Sequence, residues 1–396
     1  MTLARIEKVL FFLTIFFLPT QLGKHFWPEF SFVYSLPIDY LSPTLYFWDI
    51  LAICLCVIFI LRGSHINRLA LNLFYFFILS QALSLLVNFA NIGVGLVRLE
   101  QFFVVGLFGV YIASSKFSQI KFIIFSALVL SILSESLLAV AQFIKGGTLG
   151  FWILGERTFF LSTPGIAKFD YHGIQFLRPY ATFPHPNTLA GFLIITTLLL
   201  SLWNKYSRLT RLTILIGGLT VLLTVSRVAI VAGLVSAMIL IKKKGRIALF
   251  VATIILLPIL YTRFSSVLTF DNFALTRREE LSSIAINLWF KSPILGVGLN
   301  NFIPAASDLL LVGPSRFLQP AHNIMLLALS ETGIVGLVGL ISLVGYPIWL
   351  TINNKRYTIL LLWAVLGFLG MFDHYFLTLP QGYRLLFFIW GLSFSI

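Results

Sequence analysis

The chain has 396 residues, of which 59% are hydrophobic and 11% charged, and its mean hydropathy is +0.97. Soluble globular domains run at about 45–50% apolar and ~25% charged, so this supply of charge cannot clothe a water-facing surface. It excludes a soluble enzyme, a coiled coil and a disordered chain, and the net charge of +14 has to be read through its placement, not its sum.

Apolar runs long enough to cross a hydrocarbon core of about 30 Å recur throughout and are continuous, not alternating. That predicts an all-α fold, a polytopic transmembrane helical bundle, and excludes a membrane barrel. Hydropathy places about twelve spans, near 7–22, 44–61, 69–88, 92–113, 121–143, 184–203, 211–225, 227–241, 247–263, 322–350, 357–373 and 383–396. The N-terminal run lacks a small-residue cleavage pattern at Pro19-Thr20-Gln21, so it reads as a retained first span. Cys54 and Cys56 share one apolar run and read as small hydrophobes. The short pieces 211–225 and 227–241 form a tight hairpin or a broken pair. No repeat or soluble domain stands out, which predicts one membrane domain over 1–396 with two long loops, 144–183 and 264–321.

Short loops orient the bundle. Lys and Arg cluster at Arg62 and Arg68, Lys116 and Lys121, Lys205 to Arg211, Lys242 to Arg246, and Lys355 with Arg356. With about twelve spans and a cytoplasmic N-terminus, every cluster falls inside. Both termini are then cytoplasmic and both long loops external. Those loops and their edges carry Lys145, Arg157, Lys168, Arg178, Arg263, Arg277, Arg278, Lys291 and Arg316. Such an external surface suits an anionic visitor and membrane lipid, not nucleic acid.

The same parity points the N-termini of the sixth, eighth and tenth spans outward, each a positive dipole end with unpaired N–H groups. The sixth opens at Arg178 through His185-Pro186-Asn187, with Asn187 expected as N-cap. The eighth opens at Ser226-Arg227, with Ser226 as cap, and the tenth at Ala321-His322-Asn323. Together they predict an anion site suited to a diphosphate. Each residue also has a bland alternative: Arg227 as a cation reaching for headgroups, His322 as a satisfied helix-end imidazole, His185 as part of a stiffened loop. Arg98, Glu100, Glu135 and Glu331 fall at membrane depth and need partners; an Arg98–Glu331 ion pair is the expected arrangement. Glu331, out of helical phase with His322, should not orient it, and Gly333 and Gly336 beside it suggest close helix packing. No metal or nucleotide motif and no paired external carboxylates occur, so neither a metal nor another cofactor is expected.

Arg178-x-x-x-Thr182-Phe183-x-His185-Pro186-Asn187-x-Leu189-Ala190 resembles the segment that opens the core of the O-antigen ligase and polymerase family of bacterial membrane proteins. Leu223-Thr224-x-Ser226-Arg227 resembles its next element. Arg278 followed by Gly296-Val297-Gly298-x-Asn300-x-Phe302, and Ala321-His322-Asn323 with Glu331-x-Gly333-x-x-Gly336, complete the series in order over 178–340. The resemblance implies a GT-C-like membrane glycosyltransferase of the bacterial cytoplasmic membrane. Such enzymes take a glycan from an undecaprenyl-diphosphate carrier at the external face and pass it, with inversion and without a metal, to a glycan or lipid-glycan acceptor such as lipid A core. Carried over, Arg227 and Arg278 hold the diphosphate and His322 acts on the acceptor hydroxyl. Arg178, His185, Asn187, Arg277 and Asn323 are the further substrate-binding candidates. The competing expectation is a transporter or flippase of a lipid-linked anionic glycan, which should carry a polar path through the bilayer centre. Loop 264–321, with Phe264–Leu268 and Ile284–Trp289 in the interface, is expected to gate donor access.

Overall fold

A computed structural model describes residues 2–88, 91–171, 173–201, 207–240, 261, 273–307, 309 and 318–396. These are mostly helical: α1 (Leu3–Phe16), α2 (Phe47–Leu61), α3 (Arg68–Leu83), α4 (Ile92–Ser114), α5 (Phe117–Lys145), α6 (Pro186–Ser201), α7 (Arg208–Leu223), α8 (Arg227–Leu240), α9 (Phe273–Lys291), α10 (Phe302–Ala306), α11 (Ile324–Asn353), α12 (Tyr357–Phe372), α13 (Tyr375–Thr378) and α14 (Pro380–Ser395). Every expected span on described residues holds a helix. The one at 247–263 lies outside them but for Tyr261. Among the described residues four helical stretches are long and apolar enough to cross a membrane, Arg68–Val87, α4, α5 and α11, and α2, α6, α8 and α12 are shorter apolar helices.

Helix α5 shows which solvent the fold is built for. It exposes Phe122 (78%) and Ile144 (80%) while burying Glu135 and Gln142. In water that amphipathicity is inside out; in lipid the apolar face meets acyl chains and the polar face meets protein. Glu135, expected to need a cation, instead accepts from the Thr182 N–H (3.1 Å) and Oγ1 (2.9 Å). Gln142 Oε1 accepts from the N–H groups of Tyr180 and Ala181. The polar stripe of α5 thereby pins the backbone just ahead of α6.

Small residues bring the longest helices together, as lipid-embedded packing requires. A Cβ on Gly391 of α14 would sit 2.4 Å from the Gly109 carbonyl of α4, and one on Gly339 of α11 would sit 1.8 Å from Ser80 Oγ of α3. The expected close packing at Gly336 is present: Gln81 Nε2 of α3 donates to its carbonyl at 3.0 Å.

At Gly333, with φ +61, α11 breaks. The segment after α9 inserts into the break, where Val297 N donates to Ser330 O, Gly298 N to Glu331 O, and Ile334 N to Pro293 O. A Cβ on Gly296 would lie 2.3 Å from the Glu331 carbonyl carbon, and one on Gly333 would lie 2.3 Å from that of Ile294. The Gly-x-Gly and Glu-x-Gly motifs are therefore two halves of one backbone lock. Irregular backbone of this kind survives at depth only when protein satisfies it.

Three sequence expectations are corrected. The loop 264–321 is not an open loop: it contains α9, whose Leu281, Ile284, Ala285 and Leu288 are buried at helical spacing where the helix packs on α11. Its charges at Arg277, Arg278, Glu279, Glu280 and Lys291 hide it from a hydropathy scan. Phe264–Leu268 lies outside the described residues. Arg98 forms no ion pair with Glu331: it donates to the carbonyls of Thr378 (2.9 Å) and Tyr40 (3.3 Å) and to Asn300 Oδ1 (3.1 Å), while Glu331 Oε1 accepts from Phe302 N. The short pair α7 and α8 is a hairpin, closed by Thr224-Val225-Ser226 with Val225 at φ 51.

The third correction concerns Asn187, and it shapes the site. Residue 185, not 187, caps α6: the His185 carbonyl accepts from Thr188 and Leu189 N, and its Nδ1 accepts from Asn187 N at 3.1 Å. The Asn187 side chain is thus left for tertiary contacts.

The connections are not bare. Residues between α1 and α2 form two small antiparallel pairs, β1 (Gly23–His25) with β4 (Thr44–Tyr46) and β2 (Phe32–Val33) with β3 (Leu36–Pro37); β5 (Lys168–Tyr171) pairs with β6 (Ile174–Leu177) ahead of α6.

Candidate active site

A cavity of about 930 Å³ opens where the start of α6, the start of α9, the start of α11 and the end of α12 meet the β1–β4 segment. His185, Asn187, Arg277, Arg278 and His322 line it, together with Asp373 and His374. The structure therefore brings together five of the eight site residues expected from sequence, drawn from elements far apart in the chain.

Asn323 places His322. Its Oδ1 caps α11 by accepting from Met325 N (2.9 Å) and Leu326 N (3.1 Å), and its Nδ2 donates to the Met371 carbonyl at the end of α12. This double tie holds the His322 imidazole against the Asp373-His374 corner. The rings of His322 and His374 stand edge to face at 4.9 Å, and the Nδ1 of His322 is buried with no hydrogen-bond partner. Arg178 similarly acts as a brace, its Nε donating to Thr224 O (2.6 Å) and its Nη2 to Asn187 Oδ1 (2.7 Å). Asn187 in turn donates to Asp373 Oδ2 at 3.2 Å. A chain of contacts thus runs from the α7–α8 turn through Arg178 and Asn187 to the carboxylate beside His322.

Of the arginines, Arg277 is buried and paired with Glu280 at 3.0 Å. Arg278 is partly buried, lines the cavity, and has no ion pair among the described residues. Arg227 begins α8, where the Ser226 carbonyl accepts from Ile230 N as the expected cap position requires. It does not line the cavity, yet it lies within Coulombic reach of Arg278, and its Nη1 is buried without a partner. Two such cations near each other, neither of them ion-paired among the described residues, suit an anion.

The electrostatics separate two roles. Burial pushes the His322 imidazole below its ordinary 6.5, with Asp373 opposing and Arg278 assisting. Burial also pushes His374 and His185 down to about 3. All three rings are therefore neutral at pH 7. Burial alone would raise the Asp373 carboxyl, but His374, His322 and Arg278 outweigh it and bring the group down to about 2. Asp373 sits at the C-terminal end of α12, where the helix dipole disfavours an anion, so its charge is sustained by the site. A neutral imidazole beside an ionised carboxylate is the arrangement of an oriented general base. The donor atoms of His322, Asp373 and His374 also lie within 4.8 Å of one another, a two-imidazole, one-carboxylate set that has the chemistry to hold a metal ion.

Sequence reasoning missed Asp373 and His374. It searched for helix N-termini that face outward, whereas this pair lies at a C-terminal end. The signal available was the Asp-His pair closing the apolar run of α12.

Comparison with known proteins bears on this geometry. Residues 212–341 match the O-antigen ligase family. The chain is O-antigen-ligase-like over that stretch. The matched region carries Arg227, Arg278 and His322 together with the Gly296–Gly333 lock. No curated protein matches the chain.

Proposed function

We propose that the chain transfers a glycan from an undecaprenyl-diphosphate carrier to an acceptor hydroxyl, on lipid A core or another glycan, at the external face of the bacterial cytoplasmic membrane. The fold on this reading is one GT-C-like domain of about twelve spans with both termini cytoplasmic. The observation that carries it is the neutral His322 imidazole against ionised Asp373, sharing one cavity with Arg278.

In the reaction the acceptor oxygen attacks the anomeric carbon from the face opposite the diphosphate. The new C–O bond forms as the bond to the phosphate oxygen breaks, which inverts that carbon. The acceptor proton passes to His322, electrostatically supported by Asp373. The bond pair leaves with the diphosphate, and Arg278 and Arg227 stabilise the charge as it develops. Arg277, Arg178 and Asn187 position these groups. A cavity of about 930 Å³ has room for the two sugar ends that must meet there.

The test is a reconstituted assay with purified protein, a glycan-loaded undecaprenyl diphosphate and a panel of acceptors, run with and without EDTA. Transfer that survives EDTA and collapses in Arg278→Ala and His322→Ala supports a metal-independent transferase. Transfer that stops with EDTA makes His322, Asp373 and His374 a metal site. Passage of intact donor across liposomes without transfer replaces the proposal with a transporter.

A further inference from the structure

The cavity has a second arm that the chemistry above does not use. Its wall is built by the β1–β4 segment and α14, both outside the family-matched stretch, and includes Gln21, Tyr46, Gln381 and Tyr383. Gln381 is only 1% exposed, and both its Nε2 and its Oε1 are buried without a hydrogen-bond partner; Gln21 Nε2 is orphaned in the same way. An unpaired buried amide is costly, so two lining one cavity mark a place where something else supplies the missing donors and acceptors.

The arm's own chemistry narrows that partner. Its buried cation, Arg98, already donates to Thr378 O, Tyr40 O and Asn300 Oδ1, and Arg157 at the rim pairs with Asp39 at 3.4 Å. Arg384, buried over the Tyr46 ring at 5.0 Å and outside the lining, pairs with Asp49 at 3.7 Å, so among the described residues the arm offers no unpaired positive charge to a phosphate. It offers amides, each able to give and accept, beside the buried rings of Tyr46 and Tyr383. Vicinal hydroxyls on one edge and an apolar C–H face on the other are what a neutral pyranose presents to such a wall. The arm leads from the imidazole side of the site: His374 bonds Thr378 Oγ1 at 2.6 Å, Thr378 binds Arg98, and Gln381 follows at the start of α14.

We propose that Gln381 and Gln21, with Tyr383 and Tyr46, form a subsite for a neutral sugar ring of the acceptor, holding its hydroxyls so that a neighbouring one reaches His322. This rests on the transferase reading for the identity of the acceptor but is tested by binding alone. The probe is a fluorophore-labelled lipid A–core glycolipid, titrated against the full chain in a detergent without a sugar head group, beside the labelled undecaprenyl-diphosphate donor. Gln381→Met should weaken glycolipid binding about tenfold and leave donor binding unchanged. Because the amide has no partner among the described residues, the same variant should melt at or above the wild-type temperature, which a merely structural glutamine would not do. Gln21→Leu should act in the same direction.

Unchanged glycolipid binding in both variants, or no binding of it by the wild type, overturns the subsite. Weaker donor binding in its place moves the arm to the donor and overturns the acceptor assignment. Wild-type protein that binds the glycolipid through Gln381 yet never transfers would leave the subsite standing and remove the transferase.

Discussion

The cavity has two walls of different character. One lies within the family-matched stretch 212–341 and is cationic and backbone-locked: Arg278 and His322 line it at helix starts, beside the Gly296–Gly333 interlock, with Arg227 outside the lining but within Coulombic reach of Arg278. The other comes from residues 17–46 and 373–384 and is neutral or anionic: Asp373, His374, Gln381 and Gln21. On the proposed function, diphosphate chemistry and acceptor handling draw on separate parts of the chain, which meet where the donor atoms of His322 and Asp373 lie within 4.8 Å of each other.

Substitutions can break that division. The largest effect is expected at the cationic wall: Arg278→Ala should lower kcat/KM about 10²–10³-fold, as loss of a transition-state charge partner does, with acceptor binding intact in the titration above. A fall in acceptor affinity instead would merge the two walls. Next, Gly333→Ala should destabilise by roughly 2–4 kcal/mol, because it puts a side chain at φ +61 and a Cβ 2.3 Å from the Ile294 carbonyl carbon; a drop in melting temperature together with lost activity is the readout. Wild-type stability would show that the lock is not needed to hold the cationic wall.

Asp373→Asn sharpens the contact between the walls. It should cost about 10–100-fold in kcat/KM and also move the pH profile. His322 is already lowered from 6.5, so the acid limb of kcat/KM, where the base takes a proton, lies below pH 6.5. Asp373 raises that imidazole; without it the limb should shift to still lower pH. A limb that rises or stays put would take Asp373 away from His322. The smallest effect is expected from His185→Ala, which removes the ring that caps α6 and should cost about 1 kcal/mol in thermal or denaturant unfolding.

Much of the fold was legible because lipid imposes a simple rule: a continuous apolar run of sufficient length becomes a helix. The charged ends of α8 and α11 were legible too, since Arg and His at helix starts carry their own physical logic. Helix α9 was not legible by hydropathy, because one face is apolar and the other carries Arg277 to Glu280. The Arg98–Glu331 pairing failed because opposite charges at similar depth attract only if the backbone leaves them adjacent; here Asn300 and Phe302 stand between, bonded one to each.

By itself the sequence determined that the protein is a helical membrane protein, where most of its apolar helices lie, and which cations and imidazoles stand near their ends, because these follow from local composition and dipoles. Only the tertiary structure decided which of those ends meet. It set Asp373 beside His322, turned Arg178 and Asn187 into braces, and joined Gly296 to Gly333 through backbone hydrogen bonds that no side-chain pattern encodes. Proximity across hundreds of residues is a property of packing, and packing is where the site was made.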